Sequence, residues 1–475
     1  MLALADVLEA LSGTRPEGAS LVISEASIDS RQVIPAGLFV ALPGERVDGH
    51  DYLADAFKRG AHLALVQKDL PLEGQFPTLD IRSGSLPAGQ KIPAAPFCLL
   101  VNDSLAALQS VARFWRRKLN ARIIGVTGSV GKSTTKELIA EVLSQRYRTL
   151  KNQGNLNNEI GLPLTLLRMG LGHERAVLEM GFYTPGEITF LCDLALPSIG
   201  VITNVGTVHA ERAGSKEAIA EGKSELVQAL PPAPEGVAVL NYDDPFVRPM
   251  AEKTAAQIFF YGLDPRADLW ADQIEGLGLE GIRFRLHYHK ENLYLRVPLI
   301  GRHSVHTVLR AAAVGLVEGL TWQEIANGLQ GGQSQLRLVA VHTENGALIL
   351  DDTYNASPES TMAALNLLEE MDGRKIAVLG DMLELGPYEK QGHEMVGVRA
   401  AEVCSHLVTV GERGKMIGEA AQRAGLHSLS IDWFATVPEV IDVLKSKLLP
   451  GDVVLIKGSH GLRMDRIVTA LEAES

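Results

Sequence analysis

Cysteine is nearly missing from this chain, with three in 475 residues, Cys98, Cys192 and Cys404, at wide and unpatterned spacing. That excludes a disulfide framework and a cysteine-ligated zinc site and fits a reducing compartment. Long apolar runs are missing too: no stretch of about 18 uncharged apolar residues exists, so no membrane span is expected. Nor is there an excess of positive charge, since 45 Lys and Arg stand against 57 Asp and Glu and the net charge is -12. Nothing electrostatic therefore recruits nucleic acid or an anionic membrane, although a local basic pocket for an anionic substrate stays open. The N-terminus MLALADVLEALSG lacks a basic start and a long apolar core, so no signal peptide is expected there. What is present is apolar content, 46% of the chain, enough for several cores. At roughly 100–200 residues per domain, the length suggests two to four domains.

The most informative stretch is GVTGSVGKSTTKE, Gly125 to Glu137. Before it, Arg122 to Thr127 has β-branched strand character; after it, Leu138, Ile139, Val142 and Leu143 recur at helical spacing. A Gly-rich turn that opens a helix is a phosphate cradle. Backbone N–H groups from Gly128 through Ser129, Val130 and Gly131 to Lys132 can point at a polyphosphate, Lys132 can reach its terminal phosphates, and the Ser133 hydroxyl, followed by Thr134, can ligate Mg²⁺. Only Ser129 and Val130 separate the two glycines, where a standard loop has four residues. The competing reading is an ordinary strand-to-helix turn with a surface lysine.

Three blocks follow from composition, at 1–100, 101–334 and 335–475. The first holds short apolar runs (Ser20 to Ile23, Gly37 to Leu42, Ala61 to Val66) and ends in GSLPAGQKIPAAP, Gly84 to Pro96, a loop or linker. The second opens with a helix from Ser104 to Leu119 and alternates helices with strand candidates at Ala176 to Met180, Ile199 to Asn204 and Val237 to Asn241, a doubly wound α/β pattern. Its later part, Ile282 to Leu299, alternates like antiparallel strands around a turn near Glu291. The third repeats strand and helix in ALILDD, KIAVLGD, HLVTVG, SLSIDW and DVVLIKGS, as a Rossmann-like α/β domain does.

Individual residues carry expectations of their own. Glu179 ends the apolar strand AVLEMG, where a carboxylate can hold the Mg²⁺ of a nucleotide. His209 follows the strand VITNVG, and a lone histidine in such a place is more often structural than a ligand. Asn155, Asn157 and Asn158 in GNLNNEIGLPLTLL offer neutral donors and acceptors, or simply mark a polar loop. Ser357 and Pro358 suit the N-cap and first residue of a helix. Lys457, Ser459 and Arg463 lie past the end of an apolar strand, where open α/β sheets bind ligands.

The segments TGSVGKSTTKE, GNLNNEIGLPLTLL, EMG, TNVGTVHAERAGS, EGKSEL, DDTYNASPESTMAAL, LGDMLELG and KGSHGLRMD stand in the order found in the Mur ligases. The chain resembles that family over nearly its whole length, and YNASPES with LGDMLELG resembles the branch that adds D-alanyl-D-alanine to UDP-N-acetylmuramoyl-tripeptide. The resemblance implies three α/β domains: one for the UDP-sugar, a central ATP-binding one and a Rossmann-like one. It implies that Lys132 steadies the β- and γ-phosphates of ATP, that Ser133 and Glu179 hold one Mg²⁺, and that His209 helps hold a second. Lys223, in EGKSEL, occupies the position of a lysine that the family carbamylates. Without the family it would be read as a solvated helix residue.

The same resemblance implies that Ser30 and Arg31 contact the uridine diphosphate end with Asp48, Gly49 and His50 on a nearby turn. Arg offers a bidentate fork for phosphate and Gly a close backbone approach, while a plain turn is the alternative for Asp48 and Gly49. Asn155, Asn157 and Asn158 would face the muramoyl-peptide. Asp352, Tyr354 and Asn355 would approach the base and ribose, and Lys457, Ser459 and Arg463 would hold the dipeptide or the peptide's carboxylates. Two departures stand out: Ser304 and Thr307 replace asparagines usual in GRHSVHTVLRAAA, and a Gln-rich approach precedes Arg337, which fills the family's arginine position after the hinge. The implied activity is ATP-driven amide formation through an acyl phosphate, by a monomer in a bacterial cytoplasm. A sibling adding meso-diaminopimelate or lysine would carry a DNPR-like motif where YNASPES stands, and folylpolyglutamate synthase would lack the first block. A scaffold that had lost ligation would lack Ser133, Glu179, His209 and Lys223. A simple kinase would accumulate phosphorylated substrate without an amine.

Overall fold

The computed structural model describes residues 1–44, 47–69, 76–86, 91–207, 210–331 and 339–472. Two compact units divide them: Met1–Gly125 with Tyr147–Gly181 and Glu187–Ile199, and Val126–Arg146 with Phe182–Gly186 and Gly200–Ser475.

In the first unit a five-stranded, all-parallel sheet runs in the order Ala26–Ser27, Gly37–Val40, Ala61–Val66, Phe97–Leu100, Thr78–Asp80. Its central strands GLFV and FCLL are buried at every position, as parallel strands covered on both faces must be. Phe39, Leu53, Phe57, Val66 and Leu100 form its core. Of the three apolar runs seen in the sequence, two are strands, and Ser20 to Ile23 contributes a single bridge, Val22 to Ala3. The described part of Gly84 to Pro96 lies outside helix and strand.

The helix Ser104–Arg117 starts on the Asp103 carboxylate, which accepts the Ala106 amide, and buries Leu108, Val111, Ala112 and Trp115. It stops two residues short of the expected Leu119. There the buried Arg116 guanidinium donates to the carbonyls of Leu119, Ala121 and Ala195 and fixes the turn into the next strand, Arg122–Thr127. Beside that strand lie Arg175–Glu179 and then Thr149–Lys151.

The second unit begins as the strand Arg122–Thr127 ends. Six of its strands follow the order Glu291–Val297, Ile282–Tyr288, Leu269–Gly276, Gln257–Gly262, Val237–Asn241, Ile199–Ile202. The expected antiparallel pair is there, turning at His289 and Lys290. A second sheet has the order Val339–His342, Leu348–Asp352, Asp452–Lys457, Arg374–Gly380, His406–Val410, Ile431–Phe434, antiparallel in its first pair and parallel elsewhere. Helices Pro358–Glu370, Glu389–Val403 and Gly414–Arg423 cover one face, and Val437–Lys447 with Asp465–Leu471 the other, so this sheet is doubly wound. No helix among the described residues is long and apolar enough to cross a membrane.

Candidate active site

The turn after Thr127 is built around backbone that only glycine tolerates. Gly128 has φ 146° and a Cβ on it would be driven into the Thr203 side chain; Gly131 has φ 82° and caps the helix Lys132–Leu143. The segment Thr203 to Gly206 braces this loop from beneath. Ser129 donates its amide to the Asn204 carbonyl (3.0 Å), Val130 donates its amide to Asn204 Oδ1 (2.9 Å), Thr203 Oγ1 donates to the Val130 carbonyl (2.7 Å), and the Gly206 amide donates to Ser129 Oγ (2.8 Å). The short loop is thus held by side chains of the neighbouring strand end, where a longer loop would brace itself. No acidic residue occupies the first turn of the helix, which leaves its positive end without a competing carboxylate. Lys132 Nζ folds back onto the loop, donating to the carbonyls of Gly128 (2.8 Å) and Ser129 (3.3 Å). Ser133 and Thr134 sit half-buried on the first helical turn.

Lys223 lies on the helix Lys216–Gln228, which Ser215 caps. Its side chain is fully buried, Nζ has no hydrogen-bond partner among the described residues, and it stands 4.8 Å from the centre of the Phe182 ring. Burial, and then the charge of Lys132, push its pKa well below the ordinary lysine value. A surface lysine would show neither feature, so the solvated-residue reading does not hold.

In the first unit Glu179 is 2% exposed at the end of its strand. Asn157 Nδ2 donates to Glu179 Oε1 (2.9 Å), and Asn152, which sequence reasoning passed over, brackets the backbone of Glu179, accepting its amide (2.9 Å) and donating to its carbonyl (3.2 Å). Asn158 Oδ1 accepts the Gly161 amide (2.9 Å) and starts the helix Gly161–Arg168, while Asn155 accepts the Asn157 amide through its carbonyl. The three asparagines therefore divide their work: one orients the carboxylate, one caps a helix and one shapes the turn.

The candidate UDP residues lie at two turns of the five-stranded sheet. Ser30 is buried and Arg31 exposed, its guanidinium held by both Asp29 oxygens. Asp48 caps the turn Gly49–Tyr52, binds His50 Nδ1 at 2.5 Å and Lys68 Nζ at 2.6 Å, and is held well below the usual carboxylate range chiefly by Lys68. His50 is buried and its Nε2 accepts the Gln67 amide (3.1 Å), which fixes Nδ1 as the protonated nitrogen. Gly49 packs against the backbone of Leu42 with no room for a side chain.

In the second sheet, Lys457 is 2% exposed and donates to Asp352 Oδ2 (2.6 Å) and to the Asn355 carbonyl (2.8 Å). Tyr354 is exposed and meets His460 edge to face. Ser459 Oγ accepts the Leu383 amide, and Arg463, at φ 55°, pairs with Asp465. Ser357 and Pro358 are the helix cap and first residue, as expected. Glu359, one residue on, reaches Thr207: its carboxylate accepts the amide (3.0 Å) and hydroxyl (3.2 Å) of that residue, next to Gly206 under the phosphate loop. Ser304 Oγ donates to the Ile300 carbonyl and Thr307 Oγ1 accepts from Arg310, so both hydroxyls at the departing positions are engaged. His209 and Arg337 lie outside the described residues. Among the described residues no three His, Cys, Asp or Glu side chains gather in a way that could hold a metal ion.

A Gly-turned strand-to-helix loop with its lysine, followed in the same chain by a second, separate doubly wound sheet, belongs here to an ATP-dependent ligase, the class that the matching family models and relatives define. Three family models match: the Mur ligase middle domain over residues 126–315, the Mur ligase, glutamate ligase domain over 336–460, and the Mur ligase family, catalytic domain over 22–94. The chain belongs to the Mur ligase family. It is 34% identical to the UDP-N-acetylmuramoyl-tripeptide–D-alanyl-D-alanine ligase of Bacillus subtilis, over 98% of this chain and 97% of that protein. The protein of that name from Escherichia coli is 32% identical over 96% and 95%. Among solved structures, MurF from Acinetobacter baumannii superposes with a TM-score of 0.82 at 30% identity, covering 98% of each chain. MurF ligase from Thermotoga maritima in complex with ADP gives 0.77 at 27%, covering 95% of this chain and 97% of that one. Folylpolyglutamate synthase of Mycobacterium tuberculosis, at 16% identity over 78% of this chain and a TM-score of 0.62, shares the fold alone.

Proposed function

We propose that this chain joins D-alanyl-D-alanine to UDP-N-acetylmuramoyl-tripeptide with ATP, giving the UDP-muramoyl-pentapeptide used in peptidoglycan synthesis. Likeness to relatives bearing that name supports the choice of substrates. The observation that carries the chemistry is Lys223, buried and without a hydrogen-bond partner among the described residues, in the unit that holds the glycine loop. On this reading the reaction belongs to the bacterial cytoplasm and the working unit is a single chain.

The loop would cradle the polyphosphate with the amides of Gly128, Gly131 and Lys132 and the positive helix end, those of Ser129 and Val130 being spent on Asn204, and Lys132 would turn from the loop carbonyls to the terminal phosphates. The terminal carboxylate of the tripeptide attacks the γ-phosphorus, ADP leaves, and an acyl phosphate results. The dipeptide's neutral amine then attacks the acyl carbon, and the tetrahedral intermediate collapses with loss of phosphate and a proton. Ser133 and Glu179, with hydroxyl and carboxylate oxygens, would hold one Mg²⁺ and His209 would help hold a second metal, supplying positive charge against the phosphates. Lys223 would take part as a carbamate: the neutral amine adds CO₂ and releases a proton, turning an uncompensated cation into an anion fit for the metal. Ser30, Arg31, Asp48, Gly49 and His50 would receive the uridine diphosphate end, and Asn157 would keep Glu179 oriented. Asp352, Tyr354 and Asn355 would approach the nucleotide's base and ribose, and Lys457, Ser459 and Arg463 the incoming dipeptide.

The test is phosphate release from ATP with UDP-N-acetylmuramoyl-tripeptide, with and without D-alanyl-D-alanine, and mass spectrometry of the products. Release that needs both substrates and yields the pentapeptide is expected. Turnover only with another amine would transfer the assignment to a sibling ligase.

A further inference from the structure

The largely apolar helix Val305–Val317 buries one charged side chain, Arg310, which is 4% exposed, beside the buried hydroxyl of Thr307. Nη2 donates to Thr307 Oγ1 at 2.7 Å and Nη1 reaches the Tyr261 hydroxyl at 3.5 Å, whereas Nε is buried with no hydrogen-bond partner among the described residues. Tyr261 cannot serve as a counter-ion. Its hydroxyl lies 3.0 Å from the Ile202 carbonyl and 3.1 Å from that of Thr203, and burial raises its pKa to about 12, so it stays neutral. No Asp or Glu pairs with Arg310 among the described residues; the nearby Asp243 and Asp244 are turned to His306 and to backbone amides. Yet Nη2 lies only 3.4 Å from where a Cβ on Gly131 would stand, against the turn that opens the phosphate-loop helix.

A buried guanidinium without a counter-ion is strongly unfavourable, and such a charge is kept where an anion comes to meet it. We propose that Arg310 is a built-in counter-charge for the phosphates of the nucleotide, acting from behind Gly131 as a positioning residue that couples binding strength to phosphate number. This rests on the nucleotide reading of the loop. Charge held in a low-dielectric wall is screened little by water, so its effect should grow from nucleoside to diphosphate to triphosphate.

The experiment is calorimetric titration of the full chain, wild type, Arg310→Met and Arg310→Lys, with adenosine, ADP and ATP at two salt concentrations. Arg310→Met should weaken ATP about tenfold or more, ADP less and adenosine not at all, and Arg310→Lys should recover most of the loss. Arg310→Met binding ATP within about twofold of wild type, or both variants losing adenosine as much as ATP, would overturn the proposal in favour of a packing role. If Arg310→Met does not fold, Thr307→Val, which removes the hydroxyl orienting the guanidinium, should reproduce the same order at about threefold, and no change there would overturn it equally. Wild type that binds none of the three ligands would instead refute the nucleotide reading, and this proposal with it.

Discussion

Two lysines of the second unit are almost equally hidden from water, Lys223 at 0% and Lys457 at 2% exposure, and their surroundings are opposite. Lys457 is compensated by Asp352 and by the Asn355 carbonyl; Lys223 has an aromatic ring and another lysine for company. Removing an ammonium group from water costs several kcal/mol unless a partner replaces the lost hydration. The first lysine is therefore compensated where it stands, tying the end of one strand to the start of the YNASPES loop at the place proposed for the dipeptide. The second is held at a loss of stability, and such a loss is retained where the group is needed for chemistry. Burial alone does not distinguish the two; the partner does.

Exchanging each lysine for methionine should separate these roles most sharply. Lys223→Met is expected to lower ligation by about 10³-fold, the scale of losing a preorganised charge at a reacting phosphoryl group, with folding stability unchanged or improved. Lys132→Ala should abolish phosphoryl transfer to a similar degree and leave UDP-sugar binding intact, and equal loss of both would contradict separate sites. Lys457→Met strands a largely buried carboxylate and should cost about 2–4 kcal/mol in urea unfolding. If the two methionine variants lost stability alike, the contrast drawn here would be wrong.

The sequence alone carried the strand, glycine turn and helix at Gly128 to Ser133, because Gly, Gly, Lys, Ser and Thr meet there between a β-branched run and a helical period. It also carried the strands of the third block and the antiparallel pair about residue 290, where periodicity is long enough to read. Thr78–Asp80 and Phe97–Leu100, on either side of the Pro-rich stretch, were not legible, since three and four residues give no period. Partner choice was the larger gap. Nothing local says that Asn204 braces the loop, that Asn158 caps a helix, or that Glu359 reaches Thr207 across 152 positions. Arg310 left a trace, a lone cation in VHTVLRAAAVG, which argues for a buried role but not for its neighbour.

The same contrast predicts a pH signature. Because the Lys223 pKa in the folded chain lies well below the 10.5 of the ordinary residue, the unfolded chain binds one more proton throughout the interval between the two values. Stability attributable to this group therefore rises with pH across that interval, by at most about 1.4 kcal/mol per unit, and levels off above the unfolded value. Urea unfolding of wild type and Lys223→Met at pH 7, 8 and 9 in CO₂-free buffer should give a wild-type curve that gains on the variant as pH rises. Parallel curves would mean that Lys223 keeps its proton or a partner in solution.

The smallest expected effect concerns the link between the second sheet and the phosphate loop. Glu359 accepts two hydrogen bonds from Thr207, and the adjoining Gly206 amide is the donor that holds Ser129 in the loop. Glu359→Gln keeps the size and one carbonyl acceptor but gives up the charge, which should cost about 1 kcal/mol. That is too little to disturb the fold and enough to loosen one contact. Amide exchange should quicken at Gly206 and Thr207 in this variant, while the helix carrying Lys223 keeps its protection. Because the loop that would receive phosphate is braced by the same segment, a loosened Thr207 should also raise KM for ATP modestly with kcat nearly constant. Unchanged exchange at these two amides would mean that the carboxylate rests on Thr207 without holding it.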